Sequence, residues 1–226
     1  MKTQIFRISL LTFIPIGVLL AQVNTESMRK EDAGEGFENT LGFEFGFEKS
    51  DQEVMEIAGE YRIDYFSSGG IHSFLVLNYE NGYEKESSEK NIIVNKGFGH
   101  LRITKNISSD LYIELFTQFG FNDFLLMKDR KLYGSGLRYK VFSNDKLNAY
   151  IGVGGMKEKE QYRLETENFK SLFRSTNYFT WNITLSENAT LNSTVYYQLD
   201  TSKPKDHRIL YDGDFEFELN EKFTFT

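Results

Sequence analysis

The chain has 226 residues, of which 40% are hydrophobic and 15% aromatic, and it contains 21 Phe, 13 Tyr and only 2 Pro. This length and this aromatic content favour a single all-β domain. The net charge of −7, with no basic stripe, argues against a nucleic-acid partner, and the lack of cysteine excludes disulfides, zinc fingers and thiol nucleophiles.

The first segment, residues 1–21, has the pattern of a secretory signal peptide. Lys2 and Arg7 precede the apolar run "ISLLTFIPIGVLLA", and cleavage is predicted after Ala21. A buried N-terminal helix is the alternative. No later run reaches about 18 apolar residues, so the mature chain lacks a helical membrane span and would meet a membrane only as a barrel. Residues 22–36 are predicted to be a periplasmic leader, which either enters the lumen or adds a strand, or else is flexible.

From Phe37 onward, hydrophobicity alternates with a period of two, which predicts ten strands and the start of an eleventh near Lys222. Segments this long suit tilted membrane strands better than soluble ones. Short turns such as "SSGG" alternate with longer, charged loops at 80–91, 157–170 and 200–206, which is typical of the periplasmic turns and extracellular loops of an outer-membrane barrel. The predicted strands lie near residues 37–49, 53–66, 71–81, 91–104, 110–124, 128–142, 146–158, 172–185, 190–200 and 206–219.

The stretch "LYIELFTQFGFN", residues 111–122, shows what the alternation separates: Ile113, Leu115 and Phe119 on one face, Glu114 and Gln118 on the other. A cation on a lipid-facing position costs about 2–4 kcal/mol at the bilayer midplane, so a membrane barrel must turn the charged stripe inward. A soluble ligand-binding barrel would turn it outward, but that fold uses only about eight strands.

We therefore predict an all-β, transmembrane, antiparallel up-and-down β-barrel of 10–12 strands over residues 37–226. Because "KFTFT" barely enters strand eleven, we expect further strand residues after Thr226; the alternative is a ten-stranded barrel with a spare tail.

The charged face predicts a polar network in the lumen. It is either a solute-binding or proton-accepting site or, as we favour, a set of paired charges that needs no ligand. No metal site or cofactor is predicted, because the three histidines are scattered; the carboxylates of "DGDFE" (212–216) are expected to pair with Arg174 and Arg208. The predicted network comprises His100, Arg102, Glu114, Gln118, Asn122, Arg130, Arg138, Glu158, Arg174, Arg208 and Asp212.

Four stretches resemble one known family: "VNTESMR" (23–29), "GHLRI" (99–103), residues 114–142 and "YYQLDTSKPKDHRI" (196–209). The chain is similar to the YdiY-like family of salt-induced outer-membrane proteins, a domain of unknown function. The resemblance implies the outer membrane of a Gram-negative-type bacterium, with membrane lipid and the insertion machinery as partners, and no assigned reaction.

The expected function is a structural or envelope-stress role without enzymatic activity. The alternatives are a narrow passive channel, which would make a small solute a further partner, and a lipid hydrolase that uses His100 as its base.

Overall fold

The computed structural model describes residues 25–30, 34–86, 89–164, 169–220 and 223–225. The predicted signal peptide, residues 1–21, lies outside the described residues. Within the described part there is no helix long and apolar enough to cross a membrane. The strands are β1 (Gly36–Lys49), β2 (Glu53–Ser67), β3 (Ile71–Glu86), β4 (Glu89–Asn106), β5 (Leu111–Asn122), β6 (Met127–Ser143), β7 (Leu147–Tyr162), β8 (Phe169–Ser186), β9 (Ala189–Asp200), β10 (His207–Asn220) and β11 (Phe223–Phe225).

All eleven strands form one sheet in chain order, and each is antiparallel to the strand before it. This confirms the prediction of an all-β, up-and-down fold. Among the described residues β1 pairs only with β2 and β11 only with β10, so no ladder joins the two edges of the sheet.

Two of the three predicted long loops are instead mostly strand. β3 continues to Glu86 and β4 begins at Glu89, while β7 continues to Tyr162 and β8 begins at Phe169. The loop prediction was wrong there because charge alone does not stop ladder pairing: in the first of these hairpins the Lys90 ammonium lies 3.8 Å from the centroid of the Tyr83 ring. Of the three predicted loops, 200–206 is the one that the described residues show mainly as a loop, over residues 201–206.

Alternation along the strands puts most buried side chains at even-numbered positions and most exposed large apolar side chains at odd-numbered positions. In β5, Glu114 is 3% exposed and Gln118 8%, whereas Leu115 and Phe119 are each 52% exposed. The charged face is therefore the inner one, and the apolar face is the outer one. This is the reverse of the arrangement in a water-soluble sheet.

The sheet curls around its even-numbered face. Tyr178 of β8 donates a hydrogen bond of 3.0 Å to Glu114 of β5, and Arg208 of β10 donates one of 3.1 Å to Glu158 of β7. Buried side chains are concentrated on β3 to β9, while β1 is exposed along nearly its whole length. Most of the buried interior therefore lies within β3–β9.

Candidate functional site: the charged interior

Residues 25–30, which we call the N-terminal insert, lie inside the curled sheet. The Arg29 backbone N–H donates to the Glu26 carbonyl at 3.0 Å, so the segment makes a turn rather than an added strand. Thr25 and Glu26 are only 6% and 7% exposed. Of the alternatives for the leader, entry into the lumen is the one that these residues adopt.

The Glu26 carboxylate is the centre of the insert's contacts. Arg102 of β4 donates to its Oε1 atom and Arg138 of β6 to its Oε2 atom, while Arg29 approaches from within the insert at 3.1 and 3.2 Å. Burial by itself raises the pKa of Glu26, but the guanidiniums of Arg29, Arg138 and Arg102 outweigh it and hold that pKa well below the usual range. Glu26 therefore stays ionised in the interior.

Further hydrogen bonds fix the insert to the walls. The Glu26 backbone N–H donates to the Tyr196 hydroxyl at 2.9 Å, and Arg102 donates to the Thr25 hydroxyl at 2.6 Å. Arg29 donates to Thr104 at 2.9 Å and also to Glu114. These groups come from β4, β5 and β9 as well as the insert, so one short segment ties distant strands together.

The wall side chains are themselves held by aromatic rings. The Arg138 guanidinium carbon lies 3.9 Å from the centroid of the Tyr150 ring, which is cation–π geometry. The Tyr178 ring lies directly over Gly152, where an added Cβ would come within 2.0 Å of it. Glycine at this position therefore lets Tyr178 reach Glu114.

A second cluster surrounds Glu158, which is fully buried. Its carboxylate accepts hydrogen bonds from Arg130 at 2.6 and 2.8 Å, from Arg174 at 2.6 Å and from Arg208 at 3.1 Å. Arg174 also donates to Asp206 at 3.0 Å, and this hydrogen bond lowers the pKa of Asp206.

Three arginines thus meet three carboxylates in the second cluster, because Glu160 lies 3.3 Å from Arg130 and 3.4 Å from Arg208. The sequence suggested the 212–216 carboxylates as partners of Arg174 and Arg208; the ion pairs that these arginines make in the described part of the chain go to other carboxylates. These two arginines pair with Glu158, Glu160 and Asp206, and Asp214 accepts from Asn192 at 2.8 Å. The neighbours across the strands, together with the 201–206 loop, decide the partners.

A smaller group lies near the rim where the chain enters. Asp64 accepts two hydrogen bonds from Arg62, at 2.6 and 2.7 Å, and its Oδ1 lies 3.1 Å from Nε2 of His72. Lys30 of the insert lies 3.6 Å from Asp64 and 3.0 Å from Glu38. The insert therefore reaches β1 and β2 as well.

The predicted network residues separate into these groups. Arg102, Glu114 and Arg138 hold the insert; Arg130, Glu158, Arg174 and Arg208 form the second cluster; His100 and Gln118 line a small cavity. Asn122 ends β5, where its side chain accepts the Leu125 N–H at 3.2 Å in a turn, and it also lines a larger interior cavity. Asp212 lies on β10 and is exposed.

Three cavities adjoin the insert. One of about 40 Å³ lies beside Thr25, His100, Gln118 and Gln198, with room for two or three waters. A second, of about 730 Å³, lies along β1 to β6 and is lined by Glu44, Glu60 and Lys96 among others. A third, of about 220 Å³, lies at the rim where the insert enters. The insert and its clusters therefore do not fill the whole concave face.

Several interior residues were absent from the predicted network. Thr25 and Glu26 were flagged only as part of a leader, and Arg29, Tyr178 and Tyr196 were not singled out for a role in the lumen. Tyrosines are ordinary strand residues, so their role appears only when the sheet curls and brings β8 and β9 opposite β4 and β5. Among the described residues no group of three or more His, Asp or Glu has the geometry of a metal site.

The fold and the interior together define a class: an all-β, up-and-down sheet protein whose charged concave face holds its own N-terminal segment. A family model described as "Protein of unknown function, DUF481" matches residues 72–226, and the chain belongs to this family. A search of curated proteins found no match. The family match confirms the resemblance at the level of a domain of unknown function; it covers β3 to β11 and leaves the insert outside.

Proposed function

We propose that this protein is an outer-membrane β-barrel with a structural or envelope-stress role, related to the YdiY-like salt-induced proteins. One observation carries the proposal: the large apolar side chains stand on the outer face of the sheet, while the arginines and carboxylates are buried on the inner face. An apolar surface this extensive requires an apolar environment, and the hydrocarbon core of a membrane covers it on all sides at once.

The distribution of outward charges supports the same proposal. Along β7 the outward positions are uncharged from Leu147 to Gly155, and charges begin at Lys157. This run of about nine residues matches the length that a tilted strand needs to cross the hydrocarbon core. On β6, the outward positions from Tyr133 to Val141 are likewise uncharged, and Lys131 lies just outside them.

The N-terminal sequence and the family resemblance support an outer-membrane location. Residues 1–21 have the signal-peptide pattern that would direct the chain out of the cytoplasm. The rim at which the insert enters, next to the turns at 68–70 and 107–110, would then be periplasmic. Membrane lipid and the insertion machinery would be the partners.

A structural role fits the occupied interior better than free conduction does. The insert crosses between β4, β6 and β9 and pairs with their charges, and Glu158 joins three arginines farther along the interior. No catalytic activity is proposed: His100, the base in the hydrolase alternative, is 1% exposed, and its ring lies near those of Phe74 and Phe98, with centroids 5.7 and 6.3 Å away. The 730 Å³ cavity favours one alternative, a narrow passive channel along β1 to β6.

Two measurements test the proposal. The full chain should remain in the membrane fraction after high-salt washing and require detergent for extraction, whereas a water-soluble protein would be released. The purified, refolded chain in planar bilayers should give no unitary conductance. Reproducible single-channel steps would replace the structural role with the channel, and solubility without detergent would overturn the membrane assignment.

A further inference from the structure

Two wall arginines converge on one point in the interior. Arg102 and Arg138 stand on β4 and β6, with β5 between them, and they contact different oxygens of the Glu26 carboxylate. Their side chains are 5% and 4% exposed. Arg102 also faces the Phe116 ring, with its guanidinium carbon 5.4 Å from the ring centroid. The two guanidiniums are therefore positioned by the sheet, and paired guanidiniums are well suited to a carboxylate.

A third wall group accepts an N–H beside that carboxylate. The Tyr196 hydroxyl takes the Glu26 backbone N–H at 2.9 Å and lies 3.3 Å from the Thr25 hydroxyl. Tyr196 is 4% exposed, so it too belongs to the buried wall. The wall is thus complementary to a carboxylate that carries an N–H donor a few bonds away, as a glutamyl unit does.

We propose that Arg102, Arg138 and Tyr196 form an interior binding site for a carboxylate-bearing ligand, and that Glu26 of the N-terminal insert is its tethered occupant. Tethering gives Glu26 an effective concentration in the millimolar range or above, so it holds the site while the insert is in place. When Glu26 is removed, a free carboxylate takes the same position. The inference rests on the interior contacts alone and is independent of what surrounds the outer face.

Substitution of Glu26 creates a defined vacancy. Glu26→Ala removes the Cγ atom and the carboxylate, and acetate supplies the same atoms as a methyl group and a carboxylate. Glu26→Gln is the matched control, because its amide fills the space without the charge. Acetamide is the neutral analogue of acetate, and sodium chloride at equal ionic strength controls for screening.

The experiment measures urea unfolding of the full chain in detergent micelles, followed by the fluorescence of Trp181, the single tryptophan. For a site with a Kd of about 10 mM, acetate at about 100 mM raises the folded-to-unfolded ratio of Glu26→Ala about tenfold. Acetate should leave the wild type and Glu26→Gln unchanged, and acetamide should leave all three unchanged. Adding Arg102→Gln to Glu26→Ala should abolish the response to acetate.

For a variant that does not refold in buffer alone, the refolded yield replaces the urea midpoint: acetate must raise it and acetamide must not. The proposal is overturned if acetate and acetamide act alike on Glu26→Ala, or if acetate stabilises the wild type as much as the variant. The first result would show that the negative charge of the added molecule does not matter, and the second that acetate does not act at the position vacated by Glu26. A failure of the membrane assignment would appear instead as a chain that folds without detergent.

Discussion

A charge introduced at the middle of the outer face tests the orientation of the sheet. Ile151 of β7 is 44% exposed and lies four residues from both Leu147 and Gly155, the ends of the uncharged run. At about 3.3 Å per residue and a tilt of about 40°, it lies roughly 10 Å inside the apolar band. Ile151→Arg should therefore cost close to the midplane figure, about 2–4 kcal/mol in free energy of unfolding.

The assay is folding into phosphatidylcholine vesicles across a urea series, read from Trp181 fluorescence and from the mobility of unheated samples on gels. Lys157→Arg is the matched control, because Lys157 is outward-facing but beyond the apolar band and should change stability by less than about 0.5 kcal/mol. In water, an exposed Ile replaced by Arg would be neutral. An Ile151→Arg variant as stable as the wild type in vesicles would refute the assignment of the outer face to lipid.

Three further predictions concern the interior. Glu158→Gln should lower the free energy of unfolding by about 3–5 kcal/mol, because three arginines lose a buried charged partner. Asp206→Asn should lower it by less than about 1 kcal/mol, because the Asp206 side chain is 46% exposed. The urea midpoints of the two variants measure this difference. The pKa of Glu26 is lowered from 4.5 in the folded chain, so ionised Glu26 stabilises the fold fully above about pH 4.5, and this stabilisation is lost on acidification. The difference in free energy of unfolding between the wild type and Glu26→Gln should therefore shrink below about pH 4.5. A difference that stays constant with pH would contradict this. Gly152→Ala should cost about 1–3 kcal/mol by displacing the Tyr178 ring, with a changed near-UV circular dichroism spectrum as the second measurement.

The sequence predicted the fold through a local property. Alternation with a period of two is visible in residues 111–122 alone, and it places Glu114 and Phe119 on opposite faces wherever the strand lies. The chain order of the strands also follows, because short turns join neighbours. Strand ends were less predictable: at 80–91 and 157–170, charged residues suggested loops, but cross-strand pairing continues through much of them.

The choice of charge partners needed the tertiary structure. Glu26 meets Arg102 and Arg138 across sequence separations of 76 and 112 residues, which local patterns do not encode. Asn122 has the parity of the interior and lines a cavity there, but its hydrogen bond with the Leu125 N–H depends on where β5 ends, which the alternation does not show.

The sequence by itself determined which side chains share a face and that the charged ones must be sheltered together, because side-chain direction in a strand depends only on parity. The tertiary structure decided that the sheet curls around an N-terminal segment and which arginine meets which carboxylate. Those pairings depend on curvature and on the register shifts near the strand ends, which bring residues from distant parts of the chain to one point.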